Sequence, residues 1–419
     1  MDEMNQTLAK IGKEAKGAAK LLRTASTQEK NEALLHIAEA LTSQKETILK
    51  ANEKDRKNAK ANGLTDAMIE RLTVNEKRIE GMQVGLRQMV SLPDPTMKTD
   101  TQWVNEQGLR ISRRRVPLGV IGIIYESRPN VTVDASGLCL KAGNAVILRG
   151  GKEALESNQA IIQAIQLGLE RSSLPVTSVQ LITDPSRELA TQFMQFNECV
   201  DCLIPRGGAG LIQAVVKNAT IPVIETGTGN CHLYVHETAD LEMAAAILIN
   251  GKTQRPSVCN ALESLLVDKK IAETALPLLG NKLREAAVEV RGDEQTVSLV
   301  AQAIPASEED YATEFLDDII SVKVVEDYAE AIAHIDHYST GHSDAIVTKD
   351  YQVAQDFLND IDSAAVYVNA STRFTDGEMF GFGGEIGIST QKLHARGPMG
   401  LEALTSYKYV IEGEGQIRE

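Results

Sequence analysis

The sequence predicts an α/β protein with two parallel-sheet domains. Three observations carry this. From Val116 onward, short apolar runs alternate with segments whose apolar residues recur at helical spacing, the pattern of strand–helix–strand crossovers. Glycine-rich turns close several of those runs. The chain, at 419 residues, is too long for one hydrophobic core.

The elements follow in order. Residues 3–60 read as helices, because Leu34, Ile37, Ala38, Leu41 and Ile48 recur at helical spacing with Lys and Glu outside. Gly63 breaks that run, and one further helix is expected to about Met89. Residues 91–100 hold two prolines and read as a connection. Residues 102–115 alternate around Gln107-Gly108 and predict a hairpin. Its Arg113, Arg114 and Arg115 read as a solvated strand or subunit contact, with an anion patch as the alternative. Strands are then expected at 120–124, 145–148, 176–182, 200–204 and 221–224, with helices at 153–171, 186–196 and 208–218. A helical pattern at 241–248 leads into a second set, with strands at 261–267, 319–325, 345–348 and 365–368. The helices of that set are expected near 269–286, 327–337 and 350–359. The seam between the domains falls near 226–258.

Composition narrows the function classes. Aromatics are 4%, with Trp103 the single tryptophan, and the formal net charge is -15. Few stacking surfaces and a negative charge argue against nucleic acid as a partner. No apolar run reaches the length needed to cross a bilayer. The opening Met1-Asp-Glu-Met-Asn-Gln lacks the basic and apolar regions of a signal peptide, and five scattered cysteines do not make a disulfide framework. A cytoplasmic protein is expected.

Cys259 lies in the polar loop Thr253-Gln-Arg-Pro-Ser-Val-Cys259-Asn, just before an apolar strand-like run. A loop tip can present a thiol to a cleft, and the nearby Arg255 favours the thiolate. A buried cysteine acting as a small hydrophobe is the competing reading, and the residues alone leave both open. Cys199 and Cys202 form a C-x-x-C without a second pair and read as structural. His232 and His236 share a strand face but lack a third ligand, so no metal site is expected. His334 and His337 read as solvated on an amphipathic helix. Strict G-x-G-x-x-G is absent. Glycine clusters nevertheless fall at three strand ends: Leu148-Arg-Gly-Gly-Lys152, Ile204-Pro-Arg-Gly-Gly-Ala-Gly210 and Glu225-Thr-Gly-Thr-Gly-Asn230. Ligands of open α/β sheets bind at such ends. Arg149, Gly150, Gly151, Lys152, Arg206, Gly207 and Gly208 supply the charge and backbone access that a cofactor phosphate needs.

These pieces, in this order, resemble the aldehyde dehydrogenase superfamily and, within it, the gamma-glutamyl phosphate reductases. The resemblance rests on Tyr125-Glu-Ser-Arg-Pro-Asn-Val131, on Gly143-Asn-Ala-Val-Ile-Leu-Arg-Gly-Gly-Lys152, and on Ile204-Pro-Arg-Gly-Gly208. It rests further on Glu225-Thr-Gly-Thr-Gly-Asn-Cys-His232, the Cys259 loop, and the tail Phe382-Gly-Gly-Glu-Ile-Gly-Ile-Ser389. It implies an aldehyde dehydrogenase-like fold of three parts. These are an NADPH-binding domain (1–100 and 116–225), a catalytic domain (226–380), and an oligomerisation hairpin and strand (101–115 and 400–415).

The resemblance also implies a reaction: glutamyl 5-phosphate plus NADPH gives glutamate 5-semialdehyde, phosphate and NADP. Cys259 is then the nucleophile, and Asn130 a donor to the oxyanion. Arg128, Arg255 and Ser257 become substrate contacts. Glu225 stands where ordinary aldehyde dehydrogenases keep a water-activating glutamate, and is given a cofactor or structural role instead. Lys152 favours the 2'-phosphate of NADPH. A homo-oligomer is implied, with association to glutamate 5-kinase as a further expectation. The alternatives are a phosphate-independent NAD(P)-dependent aldehyde dehydrogenase and a non-catalytic relative that kept the fold.

Overall fold

A computed structural model of the protein describes residues 3–418. The chain divides into two units: Met1–Thr226 with Gly381–Gly387 and Met399–Glu419, and Gly227–Phe380 with Ile388–Pro398.

The first unit opens on five helices, α1 (Glu3–Leu22), α2 (Thr27–Ser43), α3 (Lys45–Ala61), α4 (Asp66–Leu72) and α5 (Glu76–Ser91). A reciprocal Ser26/Glu29 capping box starts α2. The single helix expected after Gly63 is two. Buried Asn52 donates to the Leu72 carbonyl at 2.8 Å and accepts the Val74 N–H at 2.7 Å, and Asn75 caps α5. A side chain from α3 thus takes the backbone groups that a continuous helix would have used.

The hairpin forms as expected from β1 (Thr99–Val104) and β2 (Arg110–Pro117), paired antiparallel, and the C-terminal strand Thr405–Glu412 adds to β2. Then come β3 (Val120–Tyr125), α6 (Asn130–Lys141), β4 (Ala145–Arg149), α7 (Leu155–Glu170), β5 (Val179–Leu181), α8 (Arg187–Met194), β6 (Cys202–Arg206) and α9 (Ala209–Asn218). The four strands pair in parallel in the order β5-β4-β3-β6. Helix α6 was not foreseen. It is buried nearly all round, so it has no polar stripe to betray its period. The expected strand at 176–182 begins as a 3-10 turn, Val176–Ser178, with the Ser178 N–H on the Pro175 carbonyl. Residues 221–224 make only one isolated bridge, Leu203 to Val223. Pro222 has no N–H with which to extend the ladder.

The second unit runs β7 (Cys231–Val235), α10 (Leu241–Thr253), β8 (Leu262–Asp268), α11 (Ala272–Glu285), β9 (Glu289–Gly292), α12 (Glu294–Leu299), β10 (Ile304–Pro305), α13 (Glu308–Ala312), β11 (Ile319–Val325), α14 (Tyr328–Tyr338), β12 (Ser343–Val347), α15 (Tyr351–Asp360) and β13 (Ala365–Val368). Its seven strands are all parallel, in the order β10-β9-β11-β8-β7-β12-β13. β8 lies mid-sheet and every one of its residues is buried, as a strand covered on both faces requires. His334 corrects the solvated reading: it is 4% exposed, wedged among Tyr311, Tyr338 and His232. His337 is exposed, as expected.

Candidate active site

In the second unit the Cys259 loop joins α10 to β8, at the centre of the sheet. Its neighbours hold it by side-chain bonds. Asn260 is buried, and its amide donates to the Thr375 carbonyl at 2.8 Å. Its own carbonyl accepts the Thr372 hydroxyl at 2.8 Å. The Arg373 guanidinium reaches Asn260 Oδ1 and donates from Nε to Gln254 at 2.9 Å. Burial, and then the charge of Arg255, lower the pKa of Arg373, while Asp376 and the Cys259 thiol oppose them. The Arg373 guanidinium and the Cys259 thiol thus lie within electrostatic reach of each other. Cys259 and Ser257 are half-buried and Arg255 is exposed.

The segment ahead of β7 forms the floor under the loop. A Cβ built on Gly229 would lie 1.5 Å from the Cys259 carbonyl oxygen, so backbone meets backbone there and only glycine allows it. The Gly229 N–H donates to Glu314 at 2.7 Å. The buried Cys231 thiol donates to the same Cys259 carbonyl at 3.2 Å. Burial, then Asp344, push the Cys231 pKa well above the usual thiol range, so it stays protonated and acts as a donor, not a nucleophile. Behind the loop, Lys252 in the last turn of α10 and Glu263 in β8 form an ion pair at 2.6 Å, both side chains fully buried. Burial pushes Glu263 up to about 7 against the pull of Lys252, and its second oxygen accepts the Leu316 N–H at 3.1 Å.

In the first unit, the strand order reverses between β3 and β6: the chain steps outward through β4 and β5, then returns to the other side of β3. Ligands of open α/β sheets bind at such a switch point. The register sets Ile124 beside Arg149 and Tyr125 beside Arg206, so the turns after β3, β4 and β6 leave one edge together. That brings Arg128 and Asn130 onto the same edge as Arg149–Lys152 and Arg206–Gly208. Asn130 Nδ2 donates to Asp134 at 3.0 Å, one helical turn on. Burial pushes Asp134 up to about 6, opposed by Asn130 and Arg206. Arg149 turns back to donate to the Pro185 and Ser186 carbonyls, both at 3.1 Å. Lys152 is exposed. The Gly208 N–H, at the start of α9, donates to Glu126 at 3.1 Å. Glu225 is half-buried, and its neighbour Thr226 donates to the Pro205 carbonyl at 3.0 Å.

The carboxylates Glu126, Asp134, Glu153 and Glu263 and the amine Lys252 escaped the sequence reading. Each acts on a residue far along the chain or inside an ordinary helix, where charge alone reads as a solvated face. Among the described residues no cluster of three or more His, Cys, Asp or Glu could hold a metal ion, and no helix is long and apolar enough to cross a membrane.

The aldehyde dehydrogenase family model matches residues 3–303 and 298–410. The chain is 58% identical over 415 residues to the gamma-glutamyl phosphate reductase of Clostridium botulinum, covering 99% of this chain and 100% of the relative. This chain belongs to the gamma-glutamyl phosphate reductases of the aldehyde dehydrogenase family. That family comprises nicotinamide-dependent oxidoreductases. The gamma-glutamyl phosphate reductase of Heliobacterium modesticaldum is 60% identical over 97% of this chain and 98% of its own. The crystal structure of the Thermotoga maritima gamma-glutamyl phosphate reductase superposes with a TM-score of 0.96, at 50% identity, with both chains covered in full. The aldehyde dehydrogenase-like α/β fold with parallel sheets is therefore the observed one.

Proposed function

We propose that the protein reduces L-glutamyl 5-phosphate to L-glutamate 5-semialdehyde and phosphate with NADPH, the second step of proline biosynthesis from glutamate. The observation that carries this is full-length identity near 58% to proteins named for that reaction, joined to a thiol held in a cationic loop. The Cys259 thiolate attacks the acyl carbonyl and expels phosphate, leaving a thioester on the sulfur. The Cys259 peptide N–H and the second N–H of the Asn130 amide are the assigned oxyanion donors. Asp134 holds the first N–H of that amide, which fixes its orientation. Arg128, Arg255 and Ser257 are assigned to the phosphate and carboxylate of the substrate.

The first-unit edge suits a dinucleotide. Its turns are close-set: a Cβ on Gly151 or Gly207 would run into the Glu153 or Glu126 carboxylate. Gly150, Gly151, Gly207, Gly208, Arg149, Lys152, Arg206 and Glu225 are the residues assigned to hold it, with exposed Lys152 beside the 2'-phosphate. Bound there, NADPH supplies the hydride. Water at the thioester would waste it, so Glu225 is given a cofactor or structural role. The domain labels follow, with the first unit for cofactor and the second for catalysis.

The three-stranded sheet is assigned to self-association. One face of it exposes Trp103, Tyr407, Tyr409 and Ile411, with Arg113 stacked 5.0 Å from the Tyr407 ring centre. A contiguous exposed apolar face of this kind marks a subunit contact. The reading places the protein in the cytoplasm, where hand-over of a labile acyl phosphate from glutamate 5-kinase would protect it from hydrolysis.

The test follows NADP reduction with glutamate 5-semialdehyde, with and without phosphate, in wild type and Cys259→Ala. Phosphate-dependent turnover that the substitution abolishes is the expected result. Turnover without phosphate would point to a hydrolytic dehydrogenase with Glu225 as base. Equal activity in the variant would remove Cys259 from the chemistry.

A further inference from the structure

Glu153 has no part in the chemistry above, yet it touches both turns that the chemistry needs. Its Oε1 accepts the Ser127 peptide N–H at 2.8 Å and the Ser127 hydroxyl at 3.0 Å. Ser127 has φ +48°, a left-handed conformation that residues other than glycine hold only when the surroundings impose it. It directly precedes Arg128. Glu153 itself directly follows Lys152, on the short 3-10 turn Lys152–Ala154. A Cβ on Gly151 would lie 2.1 Å from that same Oε1, and the Glu153 charge is felt at Arg149. Glu153, carried on the turn after β4, thus holds the turn after β3 through one carboxylate oxygen.

We propose that Glu153 is a positioning residue that couples the cofactor turn to the substrate turn. Anchoring of Lys152 by a cofactor phosphate fixes Glu153, which holds Ser127 in its left-handed state and so presents Arg128 at a set angle. This rests on the reading that Lys152 faces cofactor and Arg128 faces substrate.

Initial rates in the NADP-reducing direction, varying semialdehyde and NADP together at saturating phosphate, test the coupling. Wild type is expected to show a semialdehyde KM that falls as NADP rises. Glu153→Gln keeps an oxygen acceptor and should stay close to wild type. Glu153→Ala should raise the semialdehyde KM by about 10-fold with a much smaller change in kcat, and that KM should no longer respond to NADP. Adding Ser127→Gly to Glu153→Ala should recover most of the loss, because glycine adopts positive φ unaided. A lower melting temperature with unchanged kinetic constants would overturn the proposal, leaving Glu153 a structural bond. A rise in NADP KM alone would also overturn it, confining Glu153 to the cofactor turn. Failure of phosphate-dependent turnover in wild type is a separate result and would sink the functional reading itself.

Discussion

Lys252→Met should destabilise the second unit far more than an exposed lysine would. Both partners of the Lys252–Glu263 pair are fully buried, 2.6 Å apart. Burial raises Glu263 from 4.5 to about 7 even with the lysine present, so holding that carboxylate ionised already costs the fold about 3 kcal/mol. Removing its partner from a buried pair costs about 3–5 kcal/mol, because a charge is stranded. For a unit of this size that lowers the melting temperature by about 10 °C. The double variant Lys252→Met/Glu263→Leu replaces the pair by apolar bulk and should recover most of the loss.

The pH dependence has a fixed sign. Glu263 is an acid whose folded pKa is raised, so its contribution to stability is greatest below 4.5 and declines as pH climbs to about 7. In Lys252→Met that decline should continue to higher pH. Thermal unfolding of wild type, both single variants and the double variant, across pH 5 to 9, closes the cycle. A double variant no more stable than Lys252→Met, or a coupling energy below about 1 kcal/mol, would refute the stranded-charge account.

Gly229→Ala, which drives a methyl into the Cys259 carbonyl, should lower kcat by about 100-fold, and the slowed alkylation of Cys259 by iodoacetamide would report the displaced loop. Asp134, pushed up to about 6, should lose its grip on Asn130 as pH falls through that value, so wild-type kcat should drop on the acid side of 6 and Asp134→Asn should remove that limb. His334, buried and held down to about 3, is neutral in the fold; its contribution to stability is whole above pH 6.5 and is lost as pH falls toward 3, so His334→Phe should flatten the acid limb of the melting curve.

The parallel architecture was legible because its strands are short, apolar and separated by helices with a polar face. β11 and β13 occupy the very residues the pattern assigned, 319–325 and 365–368. The failures share a cause: the deciding partner lies far along the chain. Asn52 breaks a helix twenty residues on, Leu203 takes only a single bridge from Val223, and α6 hides its period by being buried all round. The Cys259 loop stood out in the sequence because its polar residues and proline interrupt an apolar stretch. Gly229, Cys231 and Lys252, which hold that loop from behind, look like ordinary core and helix residues until the fold brings them together. Glu153 is hidden differently, because it stands beside a lysine whose charge suits a phosphate.

The Glu126 carboxylate on the Gly208 amide has a consequence of its own. A helix start with bare N–H groups attracts any small anion, and inorganic phosphate is a product of the proposed reaction. With the Glu126 carboxylate already resting on the Gly208 N–H, stray phosphate or sulfate must displace a tethered competitor. On the proposed cofactor role of this turn, the tethered carboxylate makes it a guarded seat, tolerant of the reaction's own product. Glu126→Gln should make the free protein measurably more prone to inhibition by sulfate competing with NADP.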